Sequence, residues 1–259
     1  MKKATFKEIK LIPIDGIPLV KPGDDLPGII IRTANASKIE WIEGDILVIA
    51  QKIISKAEGR LVNLKEINPS KRALELGSLT QKDPRLVELI LQESTKVIRH
   101  RKGVLVVQNR HGVILANAGI DRSNLEQDKE QDWVLLLPKD SDLSAKKIHQ
   151  ELFSKTGVHL GVIINDSIGR AWRNGTLGTA IGVAGIPSII DLRGRKDLFG
   201  NPLRVSEEAI ADELASAASL LQGQADEALP VVLIRGFQKQ TPSIPASGLI
   251  RPKETDLFQ

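Results

Sequence analysis

The residues best placed to do chemistry stand where apolar runs give way to polar groups. Asn165, Asp166 and Ser167 follow the buried run 158–164, and Arg170, Arg173 and Asn174 come directly after them. A carboxylate and a hydroxyl at a strand end can share one hard cation such as Mg²⁺, with water and phosphate oxygens completing its shell. Guanidinium forks at Arg170 and Arg173 match phosphate or carboxylate. The plain alternative is an Asx-turn flanked by surface arginines. Three polar functions packed after a largely apolar strand favour the chemical reading.

Three further segments carry weaker signals. Residues 117–124 hold Asp121 and Asn124 among small residues that let backbone approach a ligand; a self-satisfied polar turn accounts for them equally. Residues 222–227 lie where a long helix ends, and exposed carbonyls there favour a cation; a routine glycine stop at Gly223 is the alternative. Lys52 and Lys56 follow the apolar run 46–50 and could meet phosphates as point charges, or be ordinary surface lysines.

Several chemistries are absent. There is no Walker-type loop and no dinucleotide fingerprint. The glycines at 175, 178, 182 and 185 fit neither pattern, so they read as tight backbone packing or close approach to a ligand. His100, His111, His149 and His159 lack metal-ligand spacing. With no cysteine, a disulfide framework, a thiolate metal site and a Cys nucleophile are excluded.

Composition sets the frame. The 259 residues are 41% hydrophobic but only 3% aromatic, so Ile, Leu, Val and Ala must build the core. Scarce aromatics argue against base stacking, and a net charge of +4 from 36 basic and 32 acidic residues suits small anions better than a nucleic-acid stripe. Residues 1–10 have no signal-peptide core, and no run approaches the roughly 20 apolar residues of a membrane span. The expectation is a cytoplasmic protein without nucleic-acid or membrane partners.

These segments need elements to position them. Apolar patterning predicts strands at 6–14, 46–50, 104–107, 113–115, 133–137, 158–164 and 230–234. Turns are expected at 15–19, at 22–25 before an apolar segment at 26–31, and in a hairpin at 109–112. Residues 128–132 read as a solvated charged loop. Helices are expected at 71–77 after Ser70, from Pro84 with Asp83 as cap, at 144–156 ending on Gly157, and at 206–221 capped by Ser206. Hairpins mixed with helices give an α+β fold of mixed sheets. Residues 1–240 form one domain, as a single body or two interlocked lobes, and residues 241–259 lose periodicity as a tail.

In combination the segments resemble the coenzyme F420-0:L-glutamate ligase family. The matching blocks are 16–19, 51–59, 117–124, 161–175 and 222–227, in the family's order, from about Ile12 to Gly236. The resemblance implies an intertwined α+β homodimer. It implies a GTP-dependent ligase that joins L-glutamate to the carboxylate of coenzyme F420-0 through an acyl phosphate, and can then add γ-linked glutamates. A ligase for another carboxylate, or a non-catalytic binder of a phosphorylated coenzyme, are the competing readings. Carried over by motif, Asp121, Asp166, Ser167 and Gln224 would hold two divalent cations, Mg²⁺ or Mn²⁺, with K⁺ as a further ion. Gly16, Ile17, Pro18 and Leu19 would line the GTP site, together with Gln51, Lys52, Lys56, Asn124, Gln222, Gly223, Gln224, Ala225, Asp226, Glu227, Ala228 and Leu229. Arg170 and Arg173 would assist Asp121 and Asp166 in catalysis. Gln224 stands where some relatives carry Glu, and Ser167 where some carry Thr.

Overall fold

The computed structural model describes residues 8–125, 131–237 and 242–257. In chain order the strands are β1 (Lys10–Pro13), β2 (Ile46–Ala50), β3 (Leu61–Asn63), β4 (Ser94–Arg101), β5 (Val104–Asn109), β6 (Ile114–Ala116), β7 (Trp133–Leu135), β8 (Gly161–Arg170), β9 (Arg173–Ala184), β10 (Ile190–Asp191), β11 (Glu207–Glu208) and β12 (Val231–Arg235). The α-helices are α1 (Leu26–Ala36), α2 (Gln51–Ala57), α3 (Lys71–Thr80), α4 (Pro84–Gln92), α5 (Ser141–Thr156) and α6 (Ile210–Gln222). The mixture of sheets and helices is the α+β class that the patterning predicts.

A five-stranded sheet in the order β1-β12-β2-β8-β9 forms the centre. Only β2 and β8 run parallel within it, with Ile46 opposite Gly161 and Ala50 opposite Asn165. The continuous apolar runs of β2 and β12 follow from burial on both faces. Leu47 and Ile49 pack with Ile30 of α1 and Leu152 of α5, while Ile46 and Val48 pack with Leu214 and Ala218 of α6. A parallel pair needs a crossover, and here the crossover carries a second lobe. That lobe holds the β4-β5-β6 sheet, the β3-β7 ribbon, α3 and α4. Ala73, Val87, Ile90, Leu105 and Val107 form its core.

Local signals explain many boundaries. Ser70 Oγ accepts from Ala73 N at 3.3 Å, Asp83 accepts from Arg85 N at 2.9 Å, and Gly157 closes α5 at φ 72°. Asn109 Oδ1 accepts from the N–H groups of His111 and Val113, fixing the predicted hairpin turn.

Other expectations change. The strand expected at 158–164 begins at Gly161 and continues to Arg170, because β9 pairs with it from Val162 onward, with irregularities between Ile164 and Asn165 and between Gly169 and Arg170. The helix expected from Ser206 begins at Ile210, since Glu207 and Glu208 pair instead with Asp191 and Ile190; Ala209, not Ser206, stands at its cap. The apolar segment at 26–31 is the start of α1, and the residues after β2 form α2. The strand expected at 6–14 is seen as Lys10–Pro13, with residues 6 and 7 outside the described residues, as is most of the loop expected at 128–132. The glycines of 175–185 belong to β9, and close packing explains two of them. A Cβ at Gly178 would lie 2.4 Å from Ala215 O of α6, and one at Gly182 would lie 2.3 Å from Ser141 O of α5. Asp142 accepts from Ala246 N at 2.7 Å and Ser247 N at 3.0 Å, tying the described part of the tail to α5.

Candidate active site

Where the parallel pairing of β2 and β8 ends, at Ala50 and Asn165, the sheet opens into a cavity of about 380 Å³. Ligands gather at such ends because helices begin there and backbone groups point outward. Residues 17–20 of the β1–α1 connection form one wall, and the first turns of α2 present Gln51, Lys52, Ile53 and Lys56. Asn165, Asp166 and Ser167 come from β8, and residues 222–226 and 228–230 close the side where α6 ends.

The carboxylates differ in their surroundings. Asp166 accepts from its neighbour's Ser167 N–H at 2.9 Å. Burial pushes its carboxyl up to about 6; the Ser167 N–H opposes the rise, the negative charge of Asp121 adds to it, and Lys52 opposes it weakly. Burial would also raise Asp121, but Lys52 and the Ser123 N–H outweigh it and hold this acid below the ordinary carboxylate range. Lys52 Nζ lies 2.8 Å from Asp121 Oδ2, and Ser123 N donates to Asp121 Oδ1 at 2.7 Å. Burial and the charge of Lys52 lower Lys56, against the pull of Asp121.

Hydrogen bonds join the walls. Gln224 Nε2 donates to Ser167 Oγ at 2.7 Å. Lys56 Nζ donates to Asn124 O at 2.9 Å, and Asn124 Nδ2 donates to Ala225 O at 3.2 Å. Gln222 Nε2 donates to Val48 O and Pro230 O, which leaves its oxygen to accept from Asn165 Nδ2 at 2.6 Å. Ser55 Oγ donates to buried Gln51 Oε1 at 2.9 Å.

Asp121, Asp166, Ser167 and Gln224 offer hard oxygen donors of the kind Mg²⁺ or Mn²⁺ prefers. Among the described residues no three His, Cys, Asp or Glu side chains gather as a metal cage. The fit rests on donor chemistry alone: two carboxylates, a hydroxyl and an amide are oxygen ligands of the kind such ions take.

The family model described as F420-0:Gamma-glutamyl ligase matches residues 16–236. The chain belongs to this family. The coenzyme F420:L-glutamate ligase of Methanothermobacter thermautotrophicus is 46% identical over 255 residues, covering 97% of this chain and 99% of that protein. The protein of the same name from Methanocaldococcus jannaschii is 46% identical over 217 residues, 84% of this chain and 85% of its own length. That of Archaeoglobus fulgidus is 41% identical over 229 residues, 88% of each.

The F420-0:gamma-glutamyl ligase match spans every segment singled out by residue type. Of the residues named by type or carried over from the resemblance, Ile17, Pro18, Leu19, Gln51, Lys52, Lys56, Asn124, Asp166, Ser167, Gln222, Gly223, Gln224, Ala225, Asp226, Ala228 and Leu229 line the cavity. Asp121 reaches it through Lys52. Gly16 forms the turn just before the wall at φ 88°, and Glu227 folds back to accept from Ala225 N at 2.8 Å. Arg170 and Arg173 lie elsewhere: they face one another at the exposed tip of the β8–β9 hairpin, outside this cavity's lining. Asn165, one of the three polar groups after the apolar run, also lines the cavity, as an amide with no ion to hold. The only available signal was an amide directly after an apolar run; its partner Gln222 is 57 residues away.

Proposed function

We propose that this cavity is the active site of a GTP-dependent ligase that joins L-glutamate to the carboxylate of coenzyme F420-0 and can extend the product with γ-linked glutamates. One observation carries the reading: carboxylate, hydroxyl, amide and lysine groups from distant segments line a single cavity. The names of relatives matched over nearly the full chain support the choice of substrates.

A free carboxylate acylates poorly, because oxide is a poor leaving group. In the proposed reaction, an oxygen of the F420-0 carboxylate attacks the γ-phosphorus of GTP, and the bond to the β-phosphate oxygen breaks. GDP leaves, and an acyl phosphate remains. The glutamate amine then attacks the acyl carbon, phosphate departs, and the amine's proton passes to solvent or a nearby carboxylate. Bringing a carboxylate against a triphosphate requires charge neutralisation. Divalent ions held by Asp121, Asp166, Ser167 and Gln224 would supply that neutralisation, with K⁺ a further ion in the reading. Lys52 and Lys56, on one wall, would add positive charge against the phosphates. The loop 222–229 and residues 16–19 would hold the nucleotide.

The working unit in this reading is a cytoplasmic homodimer with the site near the interface. Among the described residues no helix is long and apolar enough to cross a membrane.

Mass spectrometry after incubation with F420-0, L-glutamate, GTP and Mg²⁺ tests the proposal. A glutamyl adduct is expected, with release of GDP and phosphate that needs both F420-0 and glutamate. Release indifferent to glutamate, with no adduct, would overturn it.

A further inference from the structure

Lys52 occupies the place beside Asp121 that a cation would want. Its Nζ lies 2.8 Å from Asp121 Oδ2 and 2.5 Å from Ser123 Oγ. The other carboxylate oxygen accepts from Ser123 N at 2.7 Å, and Ser123 Oγ donates to Oδ2 at 3.1 Å. Both oxygens of Asp121 are therefore engaged by the protein's own groups. The neighbouring lysine behaves differently: Lys56 Nζ donates to a backbone oxygen, Asn124 O, at 2.9 Å. Asp166 makes no ion pair among the described residues.

We propose that Lys52 is a tethered cation that holds Asp121 in the ion-free protein and must leave it before a divalent ion can use both carboxylates. An ammonium and a divalent ion repel at contact distance, so a lysine on the same carboxylate oxygen weakens the ion's hold there. The lysine sits on a flexible four-carbon stem and needs only an anion within reach to accept it. A polyphosphate entering the cavity supplies that anion. Ion binding at Asp121 is thus coupled to nucleotide binding: the lysine moves from carboxylate to phosphate, and the ion takes the vacated oxygen. The inference rests on the proposed metal reading of Asp121 and Asp166 and adds an order to it. Without nucleotide, the site holds the ion weakly because its own lysine competes.

Titration of Mn²⁺ into nucleotide-free protein, read by calorimetry or by the paramagnetic signal of free Mn²⁺, tests this without any turnover. Lys52→Met is expected to bind Mn²⁺ about tenfold more tightly than the unsubstituted chain. Lys56→Met removes an equal charge nearby without touching Asp121, and a change of about twofold or less is expected. Asp121→Asn in the Lys52→Met background should remove the gain. Equal affinity in Lys52→Met and the unsubstituted chain would overturn the proposal, as would an equal gain from Lys56→Met. If no Mn²⁺ binding sensitive to Asp121→Asn is found in any background, the metal reading itself falls, and the tethered cation with it. Lys52→Gln repeats the comparison if the methionine variant melts early.

Discussion

The two ends of the β2–β8 pair treat a carboxylate in opposite ways. At the amino end, Asp45 is 1% exposed and fully answered: Arg235 donates from Nε to Oδ1 at 2.9 Å and from Nη2 to Oδ2 at 2.6 Å, and Ile42 N donates at 3.1 Å. At the carboxyl end, Asp166 has one backbone N–H, the like charge of Asp121 nearby, and a wall that pushes its carboxyl up to about 6. Desolvating a carboxylate without a cation is unfavourable, and a purely structural residue has no reason to accept that cost. The same sheet therefore pairs its carboxylate at one end and leaves the carboxylate at the other without an ion pair among the described residues.

The sharpest way to break this contrast is to remove each acid in turn. Asp166→Ala should lower ligation on the order of a thousandfold, because the phosphates lose a fixed ion. Its thermal midpoint should hold or rise, since an unanswered charge is gone. Normal GTP-dependent ligation by this variant would defeat the metal assignment. Asp45→Ala should do the reverse. Arg235 would be left without its partner, costing about 3 kcal/mol in urea denaturation, the low end for a broken buried pair because the arginine is itself 25% exposed on its side chain. Ligation per folded molecule should be unchanged. A catalytic loss in Asp45→Ala that exceeds its folding loss would erase the distinction between the two ends.

The closed end and the open end were unequally legible in the sequence. β2 and β12 can be read from their apolar runs alone, because burial on both faces does not depend on which neighbours do the burying. Ser70, Asp83 and Gly157 mark helix ends through local hydrogen bonds and backbone conformation. By contrast, α2 is short, has no side-chain cap and follows β2 directly, so no local signal announces it. The apolar pattern of β8 stops at Ile164 although the strand does not, because the residues beyond face a cavity and an exposed tip. The chemistry-bearing residues were legible by type, but their meeting was not: Lys52 and Ser123 are 71 residues apart. Nearness in sequence also placed Arg170 with Asp166. Along an extended strand four residues cover about 13 Å, enough to carry the arginine out of the cavity. The family resemblance, resting on five segments in order, linked what residue types alone left separate.

Gln224→Glu sharpens the contrast by making the open end more anionic. The added carboxylate would stand beside Ser167 Oγ, now 2.7 Å from the glutamine nitrogen. Mn²⁺ affinity measured in the presence of nucleotide should rise several-fold, and unchanged affinity would place Gln224 outside the ion's reach.

The smallest effect is a pH slope in the nucleotide-free, metal-free protein. The folded-state value of Asp166, about 6, lies above its ordinary 3.8. Between these values the unfolded chain releases the proton while the folded chain keeps it, so the folded state binds more protons and stability falls as pH rises. Below the window the acid is neutral in both states and contributes no difference; above about 6 the loss is complete. Asp166→Asn keeps an oxygen for the Ser167 N–H but has nothing to ionise. Its melting temperature should match the parent's near pH 3.5 and exceed it by a few degrees at pH 7, with the gap opening between the two values. In Asp45→Asn the paired end offers no such relief, and loss of the Arg235 pair should lower the midpoint at pH 7. A parallel pair of melting curves for Asp166→Asn and its parent across that range would show that the open end is not held under charge strain.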